Sequence, residues 1–402
     1  MPRALVLLPS TSYRAADFVA AADALGIDLV VASDQPPPFD MGDRYLQVDC
    51  SDLDATVETI LDLADRVGID GVVAADDAGV VVAALAGTKL GLSANPPEAA
   101  RATRNKLELR RRLAATELPQ PAFASLEPDA DPTEVAAGIG YPVVVKPLDR
   151  AASQGVIRAD DAASVTAAVS RVRRIIGSET APLIVEAYTP GPEVAVEGLI
   201  HDGELEVLAL FDKPDTPEGP YFPETILVTP SRLSEDIQAE CRRVAAAAVR
   251  SLGLVSGPVH IELKADGDRV VVLEVAARSI GGLCSRSLGF GLMGATLETL
   301  ILRNALGLER PRLRRQPRAS GVLMISIPHA GTLVGVEGVG ETRQIEGVTG
   351  VDLTVPPGTE IAPPPEGDRY LGFVFARGET PEAVEAALRR AAKTLVVTVE
   401  PR

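Results

Sequence analysis

The chain is poor in cysteine and histidine. Its three cysteines, Cys50, Cys241 and Cys284, are odd in number, far apart and outside any Cys-x-x-Cys spacing, which excludes a disulfide framework and a structural zinc site. The three histidines, His201, His260 and His329, stand alone and read as structural. His260 nevertheless precedes Glu262 by two residues and so shares its strand face, within reach of a phosphate. Basic charge is also scarce: 39 Lys and Arg face 56 Asp and Glu, a formal net charge of −17, so neither nucleic acid nor an anionic membrane is expected as a partner. The densest basic run, Arg110-Arg111-Arg112, reads as a solvated helix face. No apolar run is long enough for a signal core or a membrane span. The turn after the first strand, Pro9-Ser10-Thr11-Ser12, lacks the Gly-x-Gly-x-x-Gly of a dinucleotide site. A reducing cytoplasm is the expected setting.

What is present is ample core: 402 residues, 46% of them hydrophobic, enough for two or three domains. The opening stretch alternates short apolar runs (Ala4 to Leu8, Asp28 to Ala32, Gly71 to Ala75) with helical spacing (Ala15 to Leu25, Asp54 to Val67, Gly79 to Ala86). That is the pattern of a parallel sheet with helices on its faces. Asp76-Asp77 follows the last of these strands, at the carboxyl edge where open sheets bind ligands, or it caps the next helix. Asn95-Pro96-Pro97-Glu98 starts a helix expected to run to about Ala115 and to carry Lys106. Pro119-Gln120-Pro121 breaks it, and the proline- and charge-rich stretch Glu309 to Pro317 closes the middle segment. Beyond, Gly321 to Ile327, Thr342 to Ile345, Gly350 to Val355 and Gly372 to Ala376 read as strands and Pro381 to Ala392 as a helix. The fold class is therefore mixed α/β and α+β, divided as 1–112, 113–310 and 311–402.

The middle segment carries the chemistry. Val259 to Leu263 alternates, Ala265-Asp266-Gly267-Asp268 is a turn cluster and Arg269 to Val275 is a β-branched run, so Glu262 and Glu274 face each other on a hairpin. Two adjacent carboxylates without a Cys or His cage suit Mg²⁺ (or Mn²⁺), although the hairpin alone fits a solvated acidic edge equally well. Tyr141 to Pro147 is an apolar strand that delivers Lys146 to a small-residue loop, Leu148 to Val156, whose N–H groups can wrap a phosphate. Leu183 to Glu197 crosses a Pro-Gly-Pro bend, where unpaired backbone groups are available to an adenine edge. Leu210 to Thr225 is a long Pro-rich loop, either a lid with Lys213, Tyr221, Phe222 and Glu224 as substrate contacts or a plain surface insertion.

Asn105-Lys106, the Lys146 strand and its loop, the Glu186 to Glu193 segment, Glu262 with Glu274, and Arg278-Ser-Ile-Gly-Gly occur in the order and approximate spacing of the ATP-grasp fold. Over nearly its full length the chain resembles ATP-grasp carboxylate–amine ligases, nearest the L-amino-acid ligase and carnosine-synthase-like branch. The resemblance implies an N-terminal parallel α/β domain, a central ATP-grasp domain and a β-rich C-terminal domain. It also implies an ATP- and Mg²⁺-dependent enzyme, expected as a cytoplasmic homodimer, that activates a small carboxylate as an acyl phosphate and joins it to an amine. On this resemblance Lys106 and Lys146 reach the nucleotide phosphates, and Ser153 and Gln154 sit in the loop over them. Glu186, Ala187 and Thr189 line the adenine, Glu193 takes the ribose, and Glu262 and Glu274 hold the metal. Arg278 stands against phosphate or intermediate, and Lys213, Glu224, Gly281 and Gly282 face the substrate. The family usually places Asn two residues after the second metal Glu; here Ala276 stands there, which puts a second Mg²⁺ in doubt. An ATP-grasp carboxylase, a purine-pathway-type ligase and a silent ATP-binding regulator are the alternatives.

Overall fold

A computed structural model describes residues 1–37, 39–267, 269–309 and 314–401. Asp268 of the expected hairpin turn and residues 310–313 of the expected boundary lie outside them.

The first layer is a parallel sheet ordered Tyr45–Gln47, Asp28–Ser33, Arg3–Leu7, Gly71–Ala74. Its connecting helices start and stop where local chemistry dictates. The Asp52 side chain accepts from the Ala55 N–H to cap Leu53–Val67, and Gly26, at φ 62°, ends Ala15–Leu25 in a conformation that costs other residues strain.

The expected helix from Pro96 to Ala115 is two helices, Pro97–Thr103 and Lys106–Ala114. The break is chemical: Asn105 leaves the helical region, and its side chain accepts from Leu107 N and Glu108 N, so a second N-terminus is built in mid-run. Lys106 thereby becomes the first residue of a helix rather than a mid-helix side chain.

Leu183 to Glu197 is likewise not one strand bent at its prolines. Leu183–Ala187 lies in a small antiparallel sheet with Phe123–Leu126, Val143–Pro147 and Ile157–Ala159, whereas Glu193–His201 lies in a second, larger sheet. The bend therefore passes the chain between layers. Helices Pro132–Ile139 and Ala162–Ile176 pack on the small sheet through residues such as Ala136, Val165 and Val169.

The large sheet has eight strands, ordered Arg269–Ala276, Ser256–Asp266, Glu193–His201, Glu204–Lys213, Ile226–Thr229, Ala319–Met324, Gly372–Gly378 and Val348–Leu353. Ile226–Thr229 pairs in register with Ala319–Met324, so hydrogen bonding runs uninterrupted from residues before 310 to residues after it. Helix Glu235–Leu252 covers one part of this sheet and Pro381–Thr394 another. A three-stranded sheet of Glu360–Ile361, Gly331–Glu337 and Val396–Glu400 completes the C-terminal portion. Thr342 to Ile345, expected as a strand, is not one: Thr342 is fully buried within the helix Val339–Arg343, and four residues were too few to separate the two periodicities.

Candidate active site

A cavity of about 840 Å³ opens between the carboxyl edge of the parallel sheet, the small sheet and the large one. Every residue that the resemblance assigned to the site lines it, from Lys106 and Lys146 through Ser153, Gln154, Glu186, Ala187, Thr189 and Glu193 to Lys213, Glu224, Glu262, Glu274, Arg278, Gly281 and Gly282, and so does Phe222. Tyr221, expected as a substrate contact, does not, because its ring packs against the core of the small sheet beside Arg171.

Glu262 and Glu274 are direct cross-strand partners, and the register shifts between Glu262 and Leu263. A bulge there re-aims the side chains that follow it. Facing carboxylates are held by cations. Lys106 Nζ lies 3.5 Å from Glu274 Oε1 and donates to the Arg150 carbonyl at 2.6 Å. Lys213 Nζ sits among three carboxylates, 2.6 Å from Glu193, 2.5 Å from Glu224 and 2.8 Å from Glu262. Its position departs from the expected lid: Lys213 ends the strand Glu204–Lys213 and is only 8% exposed, so no loop closure is needed to bring it in. Burial works against the charge of the Lys213 ammonium, but its three carboxylates outweigh burial and hold its pKa well above the usual lysine value. For Glu262 burial is again outweighed, by Lys213 and His260, and the carboxyl stays well below its ordinary range.

His260 is more than structural filler. Burial opposes its charge, yet Glu197 at 3.1 Å and Glu262 at 3.7 Å raise its pKa to about 9, so it is a cation at neutral pH. Glu197, fully buried, also accepts from the Ile280 N–H and so ties the strand to the Arg278–Gly282 turn.

Lys146 Nζ donates to Glu186 Oε2 at 2.7 Å. The other partner of Glu186 overturns the expected solvated face: Arg110 is 1% exposed, donates Nε to Glu186 Oε1 at 2.7 Å, and gives further N–H groups to the Val272 and Leu273 carbonyls. Arg110 thus bolts the helix Lys106–Ala114 to both the small sheet and the hairpin that carries Glu262 and Glu274. Burial alone would raise the Glu186 pKa; Arg110 and Lys146 win and lower it to about 2. The Glu186 side chain is therefore an anchor, and any contact to a base falls to its backbone. Ala187 is less available than expected, because its N–H already donates to the Ala122 carbonyl at 2.8 Å.

The small-residue loop holds Ala152 and Ser153 at φ 52° and 57°, a local left-handed turn. It does not hang free. Gly155 N donates to the Pro365 carbonyl, Gln154 Nε2 donates to the Glu366 carbonyl, and Arg171 pairs with both oxygens of Glu366 at 2.7 and 3.0 Å. Gln154, expected over the phosphates, is thus occupied as a clasp to the C-terminal portion. Arg278 is braced from the parallel sheet: its Nε and a terminal N lie 3.0 Å from Asp77 Oδ2, and Arg104 takes the other oxygen at 2.8 Å. Gly282 is required for packing: at φ 57° an added Cβ would lie 2.5 Å from Phe373 Cζ.

Among the described residues, the ligand oxygens of Glu193, Glu224 and Glu262 lie within 4.8 Å of one another. Such all-oxygen donors suit a hard divalent cation, but the Lys213 ammonium already sits among these same three carboxylates and serves as their cation. The sequence had no local signal for this convergence, which joins the start of the strand Glu193–His201, the middle of its neighbour Ser256–Asp266 and the loop ahead of Ile226–Thr229. Ala276, opposite His260 in register, presents a methyl where an amide was expected.

Three family models match the chain: an ATP-grasp N-terminal domain over residues 19–93, an ATP-grasp domain over 139–287 and an L-amino acid ligase C-terminal domain over 323–400. An uncharacterized protein of Sinorhizobium fredii is 26% identical over 414 residues, covering 100% of this chain and 84% of that one. An alanine–anticapsin ligase of Bacillus amyloliquefaciens is 28% identical over 249 residues, 56% of this chain and 52% of its own length, so the match spans about half of that relative. The crystal structure of an L-amino acid ligase from Bacillus licheniformis superposes with a TM-score of 0.83 at 24% identity, covering 100% of this chain and 99% of that one. No helix among the described residues is long and apolar enough to cross a membrane.

Proposed function

We propose that this chain, which belongs to the ATP-grasp carboxylate–amine ligase family, activates an amino-acid-like carboxylate with ATP as an acyl phosphate and passes the acyl group to an amine, releasing ADP and phosphate. One observation carries the reading: a single cavity gathers Lys106, Lys146 and Arg278 around the facing carboxylates of Glu262 and Glu274. Phosphoryl transfer asks for such clamps on developing charge and for no protein nucleophile.

Lys106 and Lys146, each paired with a carboxylate of the cavity wall, present ammonium groups to the nucleotide phosphates. Arg278, fixed by Asp77, faces the carboxylate that is phosphorylated and then the acyl phosphate. Glu262 and Glu274 would hold Mg²⁺ (or Mn²⁺), which when bound neutralises the phosphate oxygens. Lys213 keeps Glu193, Glu224 and Glu262 together before nucleotide arrives, and the clasp of Gln154 and Gly155 onto residues 365 and 366 shields the cavity from water.

The test is product analysis with panels of amino-acid pairs: ADP, phosphate and a condensed product are expected, and AMP with pyrophosphate would overturn the assignment. Glu274→Gln keeps the strand and removes one ligand charge. It should weaken Mg–ATP by at least the roughly 10- to 100-fold that loss of a supporting partner costs a metal site, with little change for metal-free ATP. Isothermal titration with and without Mg²⁺ reads this, and equal weakening of both would make Glu274 structural.

A further inference from the structure

Tyr370 reaches the cavity from the C-terminal portion, just ahead of the strand Gly372–Gly378, and nothing in the sequence marked it. Its phenol oxygen accepts from the Glu224 N–H at 3.2 Å, which sets the hydroxyl beside the residue whose carboxylate Lys213 holds at 2.5 Å. Its ring meets the edge of Phe373, with centroids 6.5 Å apart, and Phe373 in turn fills the space over Gly282. One side chain therefore spans from the Arg278–Gly282 turn to the Lys213 cluster.

The hydroxyl is only half used. Its oxygen takes one N–H, but among the described residues its own O–H donates to no acceptor. A tyrosine hydroxyl drawn out of water normally finds a partner. The proton is also firmly held: burial, with the Glu224 charge adding to it, pushes the phenol well above the usual tyrosine value. At neutral pH Tyr370 is a donor and not a base. Packing explains the ring alone, since a phenylalanine would keep the contact with Phe373.

We infer that Tyr370 is a catalytic residue whose O–H donates to the acyl oxygen of the acid substrate. The inference rests on the ligase reading above and deepens it. Of the two oxygens of a carboxylate, one forms the bond to phosphorus and the other is free to be held. When the amine attacks, its lone pair forms the C–N bond and the carbonyl π pair moves onto the held oxygen. As that pair returns, the C–O bond to phosphate breaks, and phosphate departs with the bonding electrons and, in net terms, the proton of the nitrogen. Negative charge on the held oxygen is greatest at the moment of attack, so a donor there is worth most in the transition state. Tyr370 keeps its own proton throughout.

The experiment uses the full chain, with the standard amino acids supplied one at a time and hydroxylamine as the amine, which traps the activated acid as its hydroxamate. Tyr370→Phe keeps the ring and deletes the O–H. It should lower kcat by about 10²- to 10³-fold, the usual cost of one such donor, with KM for ATP unchanged. The same change takes the acceptor from the Glu224 N–H, so fluorinated tyrosines placed at position 370 separate the two roles. Fluorine makes the O–H a stronger donor and its oxygen a weaker acceptor while nearly keeping the shape. Donation to the substrate makes kcat rise along a series of increasing acidity, whereas a phenol that only holds the Glu224 N–H makes it fall. A Tyr370→Phe variant folded by circular dichroism with near-normal kcat, or falling rates across the fluorinated series, would overturn the role of Tyr370, and the series decides even where Tyr370→Phe does not fold. A wild type that binds ATP but forms a hydroxamate with none of the amino acids would instead sink the ligase reading, and this inference with it.

Discussion

Lys146→Ala should fold and lose turnover by about 10²- to 10³-fold, the usual cost of deleting one donor aimed at charge that develops in a transition state. Retention of the fold follows from the geometry of Glu186. Its carboxylate keeps the paired contacts from Arg110 at 2.7 and 3.2 Å when Lys146 is gone, so no buried charge is left alone. Steady-state ADP release and a thermal melt together decide the matter. A folded variant with near-normal kcat would remove Lys146 from the site.

Arg110→Met should do the reverse and cost about 3–5 kcal/mol of stability, because breaking a buried pair from one side strands the other charge. Lys146 remains as a partner, but it is 14% exposed and supplies one contact, and the Val272 and Leu273 carbonyls lose their donors too. Adding Glu186→Gln should recover part of the loss by removing the stranded charge.

Acid titration gives an independent reading of the same pair. The Glu186 pKa is depressed from 4.5 to about 2 in the folded chain, so its stabilisation is present above pH 4.5 and is lost as pH falls through about 2. The gap between wild type and Arg110→Met in urea midpoint should therefore narrow from pH 5 down toward pH 2. A gap constant across that window would show that Arg110 acts through packing and not through Glu186.

The parts legible in the sequence were those whose cause is local. Glu262 and Glu274 could be placed opposite one another because alternation, a turn cluster and a β-branched run fix the register within a few residues. The first strands and helices were legible for the same reason. Arg110 was not, since its meaning lies in Glu186, 76 residues on, and in two carbonyls beyond that. A basic triplet on a helix reads as surface until a partner is known to be buried beside it. Lys213 was read as part of a loop because prolines crowd the residues after it, yet the strand carries it to the centre of three carboxylates. The second helix start at Asn105 was hidden in plain composition: Asn followed by Lys and Leu signals a cap only if the preceding residues have already left the helix.

The unbroken eight-stranded sheet also sets where this chain can be cut. The segment matched as a ligase C-terminal domain begins at residue 323, which looks like a natural place to separate a core from an appendage. Ending the chain at residue 310, ahead of that segment, would strip Ala319–Met324 from Ile226–Thr229 and bare four consecutive buried residues, Ile226, Leu227, Val228 and Thr229, along an open ladder. A long apolar edge with unused N–H and C=O groups recruits strands from other molecules. Expressed alone, residues 1–310 should accumulate as insoluble aggregate, whereas tags or insertions at the exposed tip of Leu292 and Met293 leave every strand of the sheet paired.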